Sequence, residues 1–224
     1  MTELAATDPL PKPKRDLLPA LLPIALALVT LPLVGSTSSW LTLTVASLAM
    51  GMMIFIMASG LTLVFGLMDV LNFGHGAFIA VGAYVATLVL LPLAGWMQAD
   101  SLASNLAVLV PAALLSMAVS GALGVVVERV LILPVYGQHL KQILMTTGGL
   151  IVAEQTLYAL WGPQIIPLPL PTSLRGSFIV GDIAIAKYRL LAMLVGLIVF
   201  LAIQLVLNRS KIGLLIRAGV ENRE

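Results

Sequence analysis

Between Trp40 and Leu67 the chain runs for roughly 28 residues without a charged side chain. At about 1.5 Å per residue, a helix over this stretch exceeds one perpendicular crossing of a hydrocarbon layer about 30 Å thick. It must tilt, or break before its end. Similar apolar runs occupy 17–35, 77–96, 106–127, 143–161 and 190–207. With 60% of residues hydrophobic and 10% charged, there is too little polar surface to cover a soluble globule. Continuous runs of this length favour spanning helices over a β-barrel, whose strands alternate in pieces of about ten residues. The expected fold is therefore all-α, a polytopic membrane helical bundle of about six spans in contact with the lipid bilayer.

One interruption stands out, Gly66-Leu67-Met68-Asp69-Val70-Leu71-Asn72-Phe73-Gly74-His75-Gly76-Ala77. Backbone groups at membrane depth need partners, so a polar break there requires surrounding protein or a water-filled cavity. Two readings stand side by side. In one, a broken helix near residues 69–76 lines a pathway: Gly74 and Gly76 permit close backbone approach, while Asn72 and His75 offer hydrogen bonds. In the other, the segment is a short cytoplasmic turn in which Asn72 caps the next helix.

Residues 1–16 hold Pro9, Pro11, Pro13, Lys12, Lys14 and Arg15, and read as a disordered cytoplasmic tail. A cleaved signal peptide is the rival reading, disfavoured because the apolar run after the tail exceeds the usual length of about 7–15 residues. In 106–127, Ala112, Ser116, Ser120 and Gly124 recur every four residues, a stripe that lets helix backbones approach or a chance pattern in a small-residue segment. The run 162–189 opens with alternating prolines, and Phe178–Ile185 reads as two strands about a Gly181-Asp182 turn. Residues 208–224 have the spacing of a short amphipathic helix, Ile212, Leu215, Ile216 and Val220 forming its apolar side. It would rest on lipid or dock against a soluble partner.

Lys12, Lys14, Arg15, Arg129, Lys141, Arg209, Lys211, Arg217 and Arg223 fall in the tail, the 128–142 connector and the C-terminal piece. The opposite loops hold Arg175, Lys187 and Arg189. This asymmetry puts both ends in the cytoplasm. The same dispersal argues against nucleic acid, which needs a massed basic face. His75 and His139 lie in different connectors and there is no cysteine, so no metal site is expected. There is no GxSxG, no aspartate dyad and no phosphate-binding glycine loop, so neither proteolysis nor ATP binding is expected. Among ionisable groups, Glu128 and Arg129 read as an interface-level pair, while Glu154, inside a span, is either a snorkelling residue or a solute contact.

The stretch Gly60–Tyr84 resembles the signature of permease subunits of ABC importers for branched-chain amino acids. So do Glu128-Arg129-Val130-Leu131-Ile132-Leu133-Pro134-Val135-Tyr136-Gly137, Thr146-Thr147-Gly148-Gly149-Leu150, Trp161-Gly162 and Gly213–Glu224. The resemblance covers about residues 40–224. It implies a membrane permease of the bacterial inner membrane, with 17–207 as part of its transmembrane domain. It also implies a second permease subunit, two cytoplasmic ATP-binding subunits and a periplasmic solute-binding protein, ATP hydrolysis belonging to those partners. The permease itself would be no enzyme and carry no cofactor. Asn72, Gly74, His75, Gly76 and Glu154 become candidates for the substrate pathway. Arg217, Glu221, Asn222 and Arg223 become candidates for coupling to the ATPase, within a segment starting at 208. The family continues with further helices past this segment, so a truncated product is expected. An importer of urea or short amides, or an ion- or proton-coupled carrier using Asp69 and Glu154, is the alternative, and an intramembrane enzyme lacks a catalytic set.

Overall fold

The computed structural model describes residues 18–168, 170–211 and 213. The amino-terminal tail and the coupling candidates Arg217, Glu221, Asn222 and Arg223 lie outside the described residues. Seven α-helices appear among the described residues: α1 (Leu18–Val34), α2 (Thr37–Met68), α3 (His75–Leu90), α4 (Ala94–Gln98), α5 (Leu102–Val127), α6 (His139–Trp161) and α7 (Lys187–Arg209). Four are long and apolar enough to cross a membrane: α2, α5 with its extension to Val135, α6 and α7. The apolar helices α1 and α3 are shorter, at 17 and 16 residues. The six apolar runs of the sequence thus become four full-length helices and two shorter ones.

The run at 77–96 does not form one helix. α3 stops at Leu90, a turn carries Pro92, and α4 restarts at Ala94. Proline removes a donor and restricts the residue before it, which ends the helix there. At the other end of the bundle the difference runs the opposite way. α6 starts at His139, four residues before the apolar run, and takes Lys141 and Gln142 into its first turn. α5 continues into a π-turn over Glu128–Ile132, in which the Leu133 N–H reaches back to the Glu128 carbonyl. A 3-10 turn containing Pro134 follows.

Two groups of helices result. In the first, α5 packs along α3, and α6 packs on α3 and on the π-turn. The stripe of small residues on α5 faces α3: Ala112 is buried beside Leu90, Met97 and Val108, and the Ser120 hydroxyl donates to the Phe78 carbonyl at 3.3 Å. A Cβ on Gly82 would lie 3.1 Å from Ser120 Oγ, and one on Gly124 4.0 Å from the Phe78 ring. Small side chains therefore set this interhelical spacing. In the second group, α7 packs on α2, with α1 and a β-hairpin beside them. A Cβ at Gly196 would come within 2.6 Å of Met52 Cβ, and Phe55 meets Phe200 edge-on at 5.7 Å. The Trp40 indole N–H holds α1 by donating to the Ala27 carbonyl at 2.9 Å.

The hairpin forms where the sequence places it, with β1 (Ser177–Val180) antiparallel to β2 (Ile183–Ala186). Gly181 has φ +60 and Asp182 does not share the positive φ, the pattern of a II′ turn, whose twist suits a two-residue hairpin.

Candidate functional site at the helix break

α2 ends at Met68 because Asp69 turns left-handed, at φ 55 and ψ 34, while its N–H still bonds the Phe65 carbonyl. The Asp69 carboxylate lies 3.8 Å from His139 Nε2 at the start of α6. The chain then runs non-helically to Gly74, and α3 begins at His75. It does not simply continue outward. His75 Nε2 is 3.0 Å from the Met57 carbonyl, and a Cβ on Gly60 would lie 3.0 Å from the His75 ring. Gly60 is eight residues before the end of α2, about 12 Å back along its axis. The break therefore folds back along α2 and brings the start of α3 against it, with His75 joining the two helix groups.

Inside the break, Asn72 acts on its own backbone. Its Oδ1 accepts from the Gly74 N–H at 3.0 Å, an Asx turn, while Gly74, without a side-chain bond, is the N-cap of α3. Position 74 must be glycine-sized, since a Cβ would lie 3.1 Å from Asn72 Oδ1 and 3.2 Å from the Thr146 carbonyl.

Two more backbone N–H groups of the break are met by α6. The Leu71 N–H donates to Gln142 Oε1 at 3.3 Å, and the Phe73 N–H donates to Thr146 Oγ1 at 3.2 Å. Gln142 and Thr146 are one helical turn apart, so both face the same way. They are 0% and 2% exposed, among the most buried side chains of the described residues. Sequence reading missed both. Gln142 sits beside Lys141 in what reads as a polar connector, and Thr146 stands out only as the first residue of the Thr146–Leu150 stretch that carries the family resemblance. The available signal was their spacing of four.

A groove of about 760 Å³ runs between α3, α5 and α6 from this point. Asn72, Gly74 and Thr146 stand at one end and Trp161 at the other, with walls such as Val81, Leu123 and Leu157. From Leu144 to Trp161 its α6 wall extends about 26 Å, close to the thickness of a bilayer core. At the Trp161 end, Tyr84 stacks at 4.9 Å between ring centroids. The structure thus brings Asn72 and Gly74 together on the groove. His75 turns instead to α2, Gly76 is exposed with open space around it, and Glu154 is exposed and absent from the groove wall.

The far end of α5 carries a second buried amide, also missed from sequence. Asn105, 0% exposed, donates through Nδ2 toward the carbonyls of Trp96 (2.8 Å), Met97 (3.1 Å) and Ala99 (3.2 Å). Its Oδ1 accepts from the Ser173 N–H at 3.1 Å and hydroxyl at 2.5 Å. Among the described residues no group of three or more His, Cys, Asp or Glu side chains could hold a metal ion.

Comparison with known proteins agrees on one family. Residues 43–224 match the model of the permease component of the branched-chain amino acid transport system. The chain is 28% identical over 183 residues to the high-affinity branched-chain amino acid transport system permease protein BraD of Pseudomonas aeruginosa, covering 80% of this chain. It spans 58% of that relative's length. No solved structure matches significantly.

Proposed function

We infer a transport role from one premise: the chain belongs to the family of permease components of branched-chain amino acid transport systems. It is a multi-pass helical membrane protein and, as a permease, a transporter rather than an enzyme. In our reading it supplies part of the membrane path for a small amino acid with a branched apolar side chain, and alternates access around the break at 69–74. Two ATP-binding subunits on the cytoplasmic side provide the energy, a second permease completes the path, and a periplasmic solute-binding protein delivers the solute. Both chain ends face the cytoplasm, as the excess of basic residues on that side favours.

The observation that carries the path assignment is the meeting of a polar break with a long apolar groove. Asn72 offers a polar group beside walls suited to a branched hydrocarbon side chain, a few directed polar contacts in a mostly apolar site being the usual pattern. The carrier alternative, with Asp69 and Glu154 as the coupling sites, lacks this support because neither lines the groove and Glu154 is exposed. His75 contributes by holding the start of α3 to α2, and the segment from 208 onward, with Arg217, Glu221, Asn222 and Arg223, is the proposed contact with the ATPase.

Gly148 lines the groove, and a Cβ there would meet nothing within 4 Å. Gly148→Leu therefore adds bulk to the groove wall from a position with room for a Cβ. In the assembled transporter, Asn72→Ala and Gly148→Leu should each reduce leucine uptake about tenfold or more, a rise in the barrier of about 1.4 kcal/mol or more. Unchanged uptake in both, with normal assembly, rejects the path.

A further inference from the structure

Gln142 is buried, and its Nε2 has no hydrogen-bond partner while its Oε1 accepts from Leu71. Thr146 is over-subscribed. Its one hydroxyl proton has three carbonyls in reach: Gln142 at 2.8 Å, Leu71 at 3.3 Å and Ile143 at 3.3 Å. The shortest lies within its own helix, so the Leu71 carbonyl competes at the longer distance. An orphaned donor on Gln142 and a weakly claimed acceptor on Leu71 thus occur side by side at one joint.

A primary amide carries a donor and an acceptor side by side, and Leu71 turns both its N–H, toward Gln142 Oε1, and its C=O, toward Thr146 Oγ1, to the same helix. The structure shows one of the two possible bonds between Gln142 and Leu71. We propose that Gln142 is a positioning residue that latches the break in two positions: the one seen here, with a single bond to Leu71, and a second in which Nε2 also bonds the Leu71 carbonyl. The shift moves Asn72 and Gly74 at the end of the groove, so Gln142 governs the path without touching solute. A buried donor left unpaired disfavours the first position, and the Thr146 bond to Phe73 opposes the second, which keeps the two close in energy. The inference rests on the path reading for its link to transport, but the latch itself is testable without transport.

The chain contains no cysteine, and Val70, in the break, is 1% exposed. In the assembled transporter, Val70→Cys reports displacement of the break through its rate of reaction with N-ethylmaleimide. Adding Gln142→Met, similar in length but without amide groups, should raise that rate about tenfold, because local opening sets labelling of a buried thiol. Gln142→Glu, which keeps an acceptor for the Leu71 N–H, should restore much of the protection. Thr62→Val, whose hydroxyl bonds only the Ala58 carbonyl of its own helix, should leave labelling unchanged. Leucine uptake with Gln142→Met should lose maximal rate while KM stays within about twofold, since the solute contacts remain. Unchanged labelling in an assembled Gln142→Met complex overturns the latch. Raised labelling with unaltered uptake keeps the latch and rejects the path reading.

Discussion

Two buried side-chain amides, Asn105 at the start of α5 and Gln142 at the start of α6, are used in opposite ways. Asn105 is saturated: its donors face the carbonyls of residues 96, 97 and 99, and its oxygen takes both the backbone and the hydroxyl of Ser173. It pins α4, the start of α5 and the loop after α6 into one unit. Gln142 holds the break by one 3.3 Å bond and leaves a donor unused. A fully satisfied buried network fixes a unique arrangement, whereas a half-satisfied one favours neighbouring arrangements that complete it. The same functional group thus makes a rigid corner at one end of the bundle and a movable joint at the other.

The largest test of this contrast is Asn105→Leu. It strands the Ser173 N–H and several carbonyls, and should cost about 3 kcal/mol of stability, read as a lower unfolding midpoint in detergent. A loss under about 1 kcal/mol would mean that the corner is held by packing of Met97 and Val108 and that the amide is incidental. Thr146→Val comes next. It removes the acceptor of the Phe73 N–H, and should cost about 2 kcal/mol while speeding amide exchange within 69–74 more than elsewhere. Uniform exchange across the chain would erase the distinction between joint and corner. The smallest effect belongs to His139→Ala. Its pairing with Asp69 is at 3.8 Å between half-exposed side chains, worth about 0.5 kcal/mol or less and weakened further by salt. A larger loss would make that contact, rather than Gln142 and Thr146, the principal hold on the break.

Much of the fold was legible because it depends on local pattern. The apolar runs marked the helices, the Gly181-Asp182 pair fixed the hairpin register, and the polar interruption at 69–76 located the break to within a residue or two. Along the four-residue stripe on α5, Ser120 bonds the Phe78 carbonyl and lies against Gly82, and Gly124 lies near the Phe78 ring. Boundaries were less legible where polar residues continue a helix. His139 to Gln142 read as connector, yet they form the first turn of α6, in which His139, Leu140 and Lys141 are exposed and Gln142 is buried against the break. Within the candidate site, Asn72 and Gly74 line the groove, whereas His75, Gly76 and Glu154 do not.

What the sequence determined by itself was how many apolar segments the chain offers a bilayer and where they must be interrupted. Both follow from the cost of leaving charge or unpaired backbone in hydrocarbon, which each stretch incurs on its own. What only the tertiary structure decided was how the interruption is resolved. The partners of the Leu71 and Phe73 N–H groups lie 71 and 73 residues away in sequence. No local pattern specifies such a pairing. It is chosen when α6 packs against α3 and carries Gln142 and Thr146 to the open backbone of the break.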